Sequence, residues 1–120
     1  MCESTDNELT ELMHLHTETP TANASLEEME ANAERAATLL RAMANKNRLL
    51  LLCLLNQGEL SVSQLNSELD IPQSTLSQHL SVLRQDKLVK TRREAQTIYY
   101  ALASKEVEAI IATLYQLYCE

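Results

Sequence analysis

Apolar residues recur along this chain at helical spacing up to about residue 88 and then at strand spacing, and that change of period is the first guide to the fold. Leu26, Met29, Ala33, Ala36, Leu40 and Met43 follow one another at steps of three and four. This is a narrow stripe with small residues at its centre, suited to close helix pairing. Ser25-Leu26-Glu27-Glu28 opens the segment as a capping box. From Asn45, a second N-cap, to Asn56 the chain holds the nearly continuous run Leu49-Leu50-Leu51-Leu52-Cys53-Leu54-Leu55. A helix apolar nearly all round belongs in the middle of a core. Gly58, the only glycine, stands just past its end, where a left-handed residue is wanted.

Residues 60 to 102 then read as helix, turn, helix and β-hairpin. Val62 to Leu69, with Ser61 as N-cap, buries Val62, Leu65 and Leu69. Asp70-Ile71-Pro72 is short enough only for a turn, with Pro at a helix start. Pro72 to Gln85 sets Leu76, Leu80 and Leu83 on one face and Ser74, Ser77, Gln78 and Ser81 on the other. Leu88 to Glu94 and Gln96 to Leu102 are β-rich, with Ile98, Tyr100 and Leu102 alternating against Thr97, Tyr99 and Ala101 and a tip at Glu94-Ala95. Ser104 caps a last helix, with Glu106 and Glu108 in its first turn and a seam of Val107, Ile111, Leu114 and Tyr118. The predicted fold is mostly α with a β-hairpin wing, a winged helix-turn-helix. The seams of the first and last helices (Leu26, Met29, Ala33, Ala36 and Leu40; Val107, Ile111, Leu114 and Tyr118) suggest a two-fold homodimer; the alternative is that they pack on their own domain.

The polar face of the second helix of the pair points to function. A solvated face would be rich in Glu and Lys, whereas short uncharged Ser and Gln side chains present donors and acceptors to base edges in a major groove. Gln73, Ser74, Ser77 and Gln78 are the candidates for bases, with Thr75 and His79 assisting at phosphates. Lys90, Arg92, Arg93 and Gln96 are the wing's candidates for backbone or minor groove.

The overall charge of −7 argues against a DNA partner until it is located. Residues 1 to 34 carry nine acidic groups and no Lys or Arg, while residues 72 to 102 carry five basic groups against Asp86 and Glu94. Screening over about 8 to 10 Å leaves phosphate affinity to the nearby charges. The 120 residues, 45% hydrophobic, suit one domain at 25–120 behind a mobile acidic N-terminal tail at 1–24. With no apolar span or signal segment, no membrane partner and a cytoplasmic location are expected. Without Trp or Phe the chain lacks a stacking platform for single strands. No acid pair or Cys-His-Asp set stands at interpretable spacing, so an enzyme is not expected. Three cysteines are an odd count, better read as reactive, ligating or buried thiols than as a disulfide framework. Cys2, His14 and His16 lack a further ligand at fixed spacing; no metal and no cofactor are expected.

Leu40-Arg41-Ala42-Met43-Ala44-Asn45 with Arg48-Leu49, Glu59-Leu60-Ser61-Val62-Ser63-Gln64-Leu65, Gln73-Ser74-Thr75-Leu76-Ser77-Gln78-His79-Leu80 and Tyr99-Tyr100 resemble the ArsR/SmtB family of dimeric winged-helix repressors. The resemblance implies a homodimer on a two-fold symmetric double-stranded DNA operator, released by an inducer. The family's metal site on the first helix of the reading head needs cysteines where this chain has Ser61 and Ser63, and hydroxyls are poor ligands for soft metals. Its other metal site needs Asp and His on the last helix, and residues 104 to 120 hold neither. The family often has glycine at the wing tip, where this chain has Glu94-Ala95. Leu52-Cys53-Leu54 and Leu117-Tyr118-Cys119 resemble a persulfide-sensing group within the family. That likeness implies a redox switch in which persulfide or polysulfide joins Cys53 and Cys119 by a disulfide or longer sulfur bridge. A metal-sensing repressor, or a redox-independent anti-silencing regulator that competes with another DNA-bound factor, are the alternatives.

Overall fold

Four of the five helices among the described residues start at a short polar side chain that accepts from the first turn. The computed structural model describes residues 25–119, and the predicted tail, with Cys2, His14 and His16, lies outside them. In order the elements are α1 (Leu26–Met43), α2 (Lys46–Gln57), β1 (Leu60–Ser61), α3 (Val62–Glu68), α4 (Gln73–Gln85), β2 (Val89–Glu94), β3 (Thr97–Leu102) and α5 (Lys105–Tyr118). Ser25 and Glu28 close the expected capping box, the Glu28 N–H donating to Ser25 Oγ at 3.1 Å and the Ser25 N–H to Glu28 Oε1 at 3.0 Å. Asn45 Oδ1 accepts from the N–H groups of Asn47 and Arg48. Ser61 and Gln64 form a second box at the start of α3. Ser104 Oγ accepts from the Val107 N–H. Only α4 opens without a side-chain cap, behind Pro72, where a missing N–H costs nothing.

The core is assembled on α2. Leu51, Leu52 and Leu55 are buried there, joined by Ala42 and Met43 of α1, Leu65 of α3, Leu76, Leu80 and Leu83 of α4, Leu88 and Val89, and Val107 and Ile111 of α5. The helix is less evenly covered than its composition predicts: Leu50 is exposed, and Leu49, Cys53 and Leu54 are half-buried. The reason is that α1, α4, α5 and β3 dock around it without closing every side. At the corner between α1 and α2 the Arg48 guanidinium reaches back to donate to the Ala42 carbonyl at 2.7 Å and the Arg41 carbonyl at 3.3 Å. Those oxygens belong to the end of a helix, where intrahelical donors have run out.

The strands form one antiparallel sheet ordered β1-β3-β2. The wing hairpin is as expected, with Glu94 opposite Thr97 and Thr91 opposite Tyr100, but Leu60 and Ser61 add a third strand that pairs with Tyr100 and Tyr99. Tyr100 and Leu102 pack on the core, whereas Ile98, expected with them, is exposed. It lines a surface cleft beside Ser61, Val62 and Ser63 at the start of α3. Gly58 has φ +154° and ψ 170°, which is not the predicted left-handed helical geometry but is still a region open to glycine and little else.

Two other residues have positive φ, Lys87 at 63° and Ala95 at 57°. Lys87 stands after α4, where the Leu88 N–H returns to the Leu83 carbonyl at 2.9 Å; this helix-ending pattern usually uses glycine. Ala95 turns the wing. In both places a Cβ opposes the backbone geometry. Lys87→Gly and Ala95→Gly are each expected to raise stability by roughly 0.5 to 1 kcal/mol, seen as a higher urea midpoint at unchanged m-value.

His79 of α4 is half-buried, and its pKa is lowered first by burial and then by the positive charge of Arg48. The folded state therefore favours neutral imidazole, and the unfolded chain takes up the proton first as pH falls. The contribution of His79 is complete above the ordinary histidine range near 6.5 and declines as pH drops below it. His79→Gln is expected to flatten that part of the stability-against-pH curve, measured by urea unfolding between about pH 5 and 8.

Candidate nucleic-acid interface

The turn Leu69-Asp70-Ile71-Pro72 holds α3 and α4 together, with the Ile71 N–H bonded to the Leu69 carbonyl at 2.9 Å. Leu69 and Ile71 pack on the core beneath it. With Leu76, Leu80 and Leu83 buried, the turn and the stripe together fix which side of α4 faces outward. Gln73, Ser74, Ser77 and Gln78 are exposed on that side, and Thr75 and His79 are half-buried at its margins. The lowered pKa of His79 leaves it a neutral donor or acceptor near neutral pH rather than a cation. The four expected base-reading side chains thus share one uncharged, hydrogen-bonding face.

Asn66 is a residue that the sequence pattern did not single out. It lines a cleft of about 320 Å³ with Val62, Ser63 and Gln73, and its Oδ1 is buried without a hydrogen-bond partner. Its signal was faint, a polar residue on the inner side of a short helix.

The wing sorts its cations differently from the expectation. Successive strand residues face opposite ways, so Lys90 and Arg92 share one face of β2 while Arg93 shares the other with Val89 and Thr91. Lys90, Arg93 and Gln96 are exposed. Arg92, expected with Arg93 at the backbone or minor groove, has its guanidinium on a carboxylate in this structure: Nε lies 2.7 Å from Glu59 Oε2 and Nη2 lies 2.8 Å from Glu59 Oε1. Nη1 is 3.5 Å from Glu94, and the group sits 4.4 Å above the centre of the Tyr99 ring. The Arg92 hydrogen bonds hold the Glu59 carboxyl below the usual range.

Away from this face, the α1 stripe of Leu26, Met29, Ala33, Ala36 and Leu40 is exposed, as is Tyr118 at the end of α5. Leu114 is half-buried. Val107 and Ile111, expected in the same seam, are instead buried in their own domain at 0% and 6% exposure. α5 packs on α2, so these two positions of the seam are taken up within the chain.

Cys53 is a free, half-buried thiol packed against the core, and burial pushes its pKa up. Cys119 closes α5, its N–H donating to the Tyr115 carbonyl at 2.7 Å. Cys53 is free, so the two are not joined to each other. Among the described residues no group of three or more His, Cys, Asp or Glu comes together as a metal site, and no helix is long and apolar enough to cross a membrane.

Residues 45–91 match the model of the bacterial regulatory protein, arsR family. The chain is 54% identical over 99 residues to the transcriptional activator HlyU of Vibrio cholerae, covering 82% of this chain and 92% of that protein. The solved structure of reduced HlyU from Vibrio cholerae superposes with a TM-score of 0.75 at 56% identity, covering 79% of this chain and all of that one. The biofilm growth-associated repressor of Agrobacterium fabrum is 48% identical over 91 residues, 76% of this chain and 78% of the repressor. A homodimeric winged helix-turn-helix DNA-binding domain from Mycobacterium bovis, described as a possible ArsR-family transcriptional regulator, has a TM-score of 0.68 at 31% identity, covering 80% of this chain and 88% of that one. Fold, reading head and relatives agree: the chain belongs to the arsR family of bacterial regulatory proteins, transcriptional regulators that bind DNA through a winged helix-turn-helix.

Proposed function

We propose that this chain is a repressor-type regulator that holds a two-fold symmetric operator as a homodimer and lets go when persulfide or polysulfide joins Cys53 to Cys119. The observation that carries the DNA half is the outward face of α4, where Gln73, Ser74, Ser77 and Gln78 stand exposed and uncharged. Such side chains suit base edges, while Thr75, His79, Lys90, Arg93 and Gln96 serve the phosphates and grooves beside them. The exposed stripe of α1 and the tail of α5 support a dimer, as does the homodimeric relative from Mycobacterium bovis. Two reading helices must then sit roughly 34 to 36 Å apart to meet one side of the duplex.

The inducer half rests on the two thiols. Cys53 lies on α2 and Cys119 ends α5, and these helices pack together. In the reduced protein a Cys119 thiolate attacks the terminal sulfur of glutathione persulfide, takes it up as a protein persulfide and releases glutathione thiolate. Cys53, poor in thiolate because it is desolvated, acts second. Its attack on Cys119 Sγ breaks the bond to the outer sulfur, which leaves as hydrosulfide, and closes a disulfide; after a second uptake, attack on the middle sulfur of the Cys119 chain expels hydrosulfide and closes a trisulfide. A direct disulfide needs the Cα atoms within about 7 Å; tying α2 to α5 by either bridge fixes their relative position and biases the spacing of the reading heads. A coupling of about 1.4 kcal/mol changes operator affinity tenfold.

Anisotropy titration of a duplex selected by the reduced protein is expected to show at least a tenfold loss of affinity after glutathione persulfide, with intact mass and peptide mapping placing the bridge between Cys53 and Cys119. Cys53→Ser or Cys119→Ser should bind normally and ignore the persulfide. Unchanged binding by the treated parent protein would remove the inducer, and release by zinc alone would favour a metal sensor. Leu40→Asp, which sets a charge on the α1 stripe, should shift sedimentation from dimer to monomer and weaken operator binding by a factor of ten or more.

A further inference from the structure

One cation of the wing, Arg92, is strongly paired within the protein. Arg92 stands on edge strand β2, Tyr99 opposite it on β3, and Ser61 opposite Tyr99 on β1. Glu59 lies two residues before Ser61, at the far edge of the sheet. The Arg92 side chain therefore crosses the central strand over the Tyr99 ring, 4.4 Å from its centre, and grips both Glu59 oxygens at 2.7 and 2.8 Å. A two-pronged guanidinium–carboxylate pair fixes direction as well as distance. It is needed here because β1 is only two residues long, and so few ladder bonds tie the wing loosely to the segment that leads into α3 through the Ser61 cap.

We propose that Glu59 is a positioning residue for DNA binding: it withdraws Arg92 from the phosphate contacts and makes it a brace that sets the pitch of the wing against the reading head. The local charge agrees in part, since the Arg92 guanidinium is already answered by Glu59 and Glu94, with Lys90 the other cation acting on Glu59. Exposure agrees as well. An ion pair this open to water contributes little to global stability, so its effect is on geometry. The proposal rests on the DNA-binding reading above and assigns the phosphate work of the wing to Lys90 and Arg93.

The test is anisotropy titration at several salt concentrations against a duplex selected by the wild-type protein from a random pool, with Glu59→Gln, Arg92→Gln, their double variant, Arg93→Gln and the charge-swapped pair Glu59→Arg with Arg92→Glu. As a brace, Glu59→Gln and Arg92→Gln each weaken binding by about tenfold, the double variant is no weaker than either, and the swapped pair recovers most of the loss. The slope of log affinity against log salt stays at its wild-type value in these variants, while Arg93→Gln lowers it by about 0.9 for each phosphate that is no longer neutralised. Thermal melting of each variant should match wild type, which separates a wing fault from unfolding. If Arg92→Gln lowers the salt slope as Arg93→Gln does, or Glu59→Gln tightens binding by removing an acid near DNA, the brace is overturned while the DNA reading stands. A wild-type protein that selects no duplex would overturn both.

Discussion

Burial of one side of a twelve-residue helix is the constraint on which the rest of this domain depends. Leu51, Leu52 and Leu55 of α2 leave water only because α1, α4, α5 and β3 close around them. No element of the reading head has a core of its own: α3 contributes one fully buried leucine, and α4 contributes three that end on the same cluster. A displacement of α2 is therefore felt by the helix that faces DNA and by the helices that carry exposed apolar surface. This shared footing is how residues 25–119 hold a reading surface and an exposed apolar stripe on one core.

Electrostatics in this chain depend on placement more than on totals. The reading face is uncharged, the wing supplies the cations, and the many acids ahead of residue 35 do not alter the count between residues 72 and 102. Even that local count overstates what a phosphate would meet, because the charge of Arg92 is already answered by Glu59 and Glu94. A formal charge becomes available to a ligand only when no nearer partner has taken it.

What the sequence revealed follows the range of the forces involved. The helices were legible because periodic leucines and capping side chains act within one or two turns, and the outward face of α4 followed from its buried face. β1 was not, since two residues show no period. Nor was the fate of Arg92, whose partner is 33 residues distant. Val107 and Ile111 carried the same stripe as Leu114 and Tyr118, and local spacing does not say where a helix leaves its own core.

The contact between Arg48 and the last carbonyls of α1 has a mechanical consequence. It is a short strut across the bend between the helix with the exposed stripe and the helix at the centre of the core, and both its ends are backbone or backbone-anchored. A bend held in this way behaves as a welded elbow rather than a pivot. A rotation of α2 would be carried into the eighteen residues of α1, so the displacement it causes grows with distance from Leu51 toward Leu26.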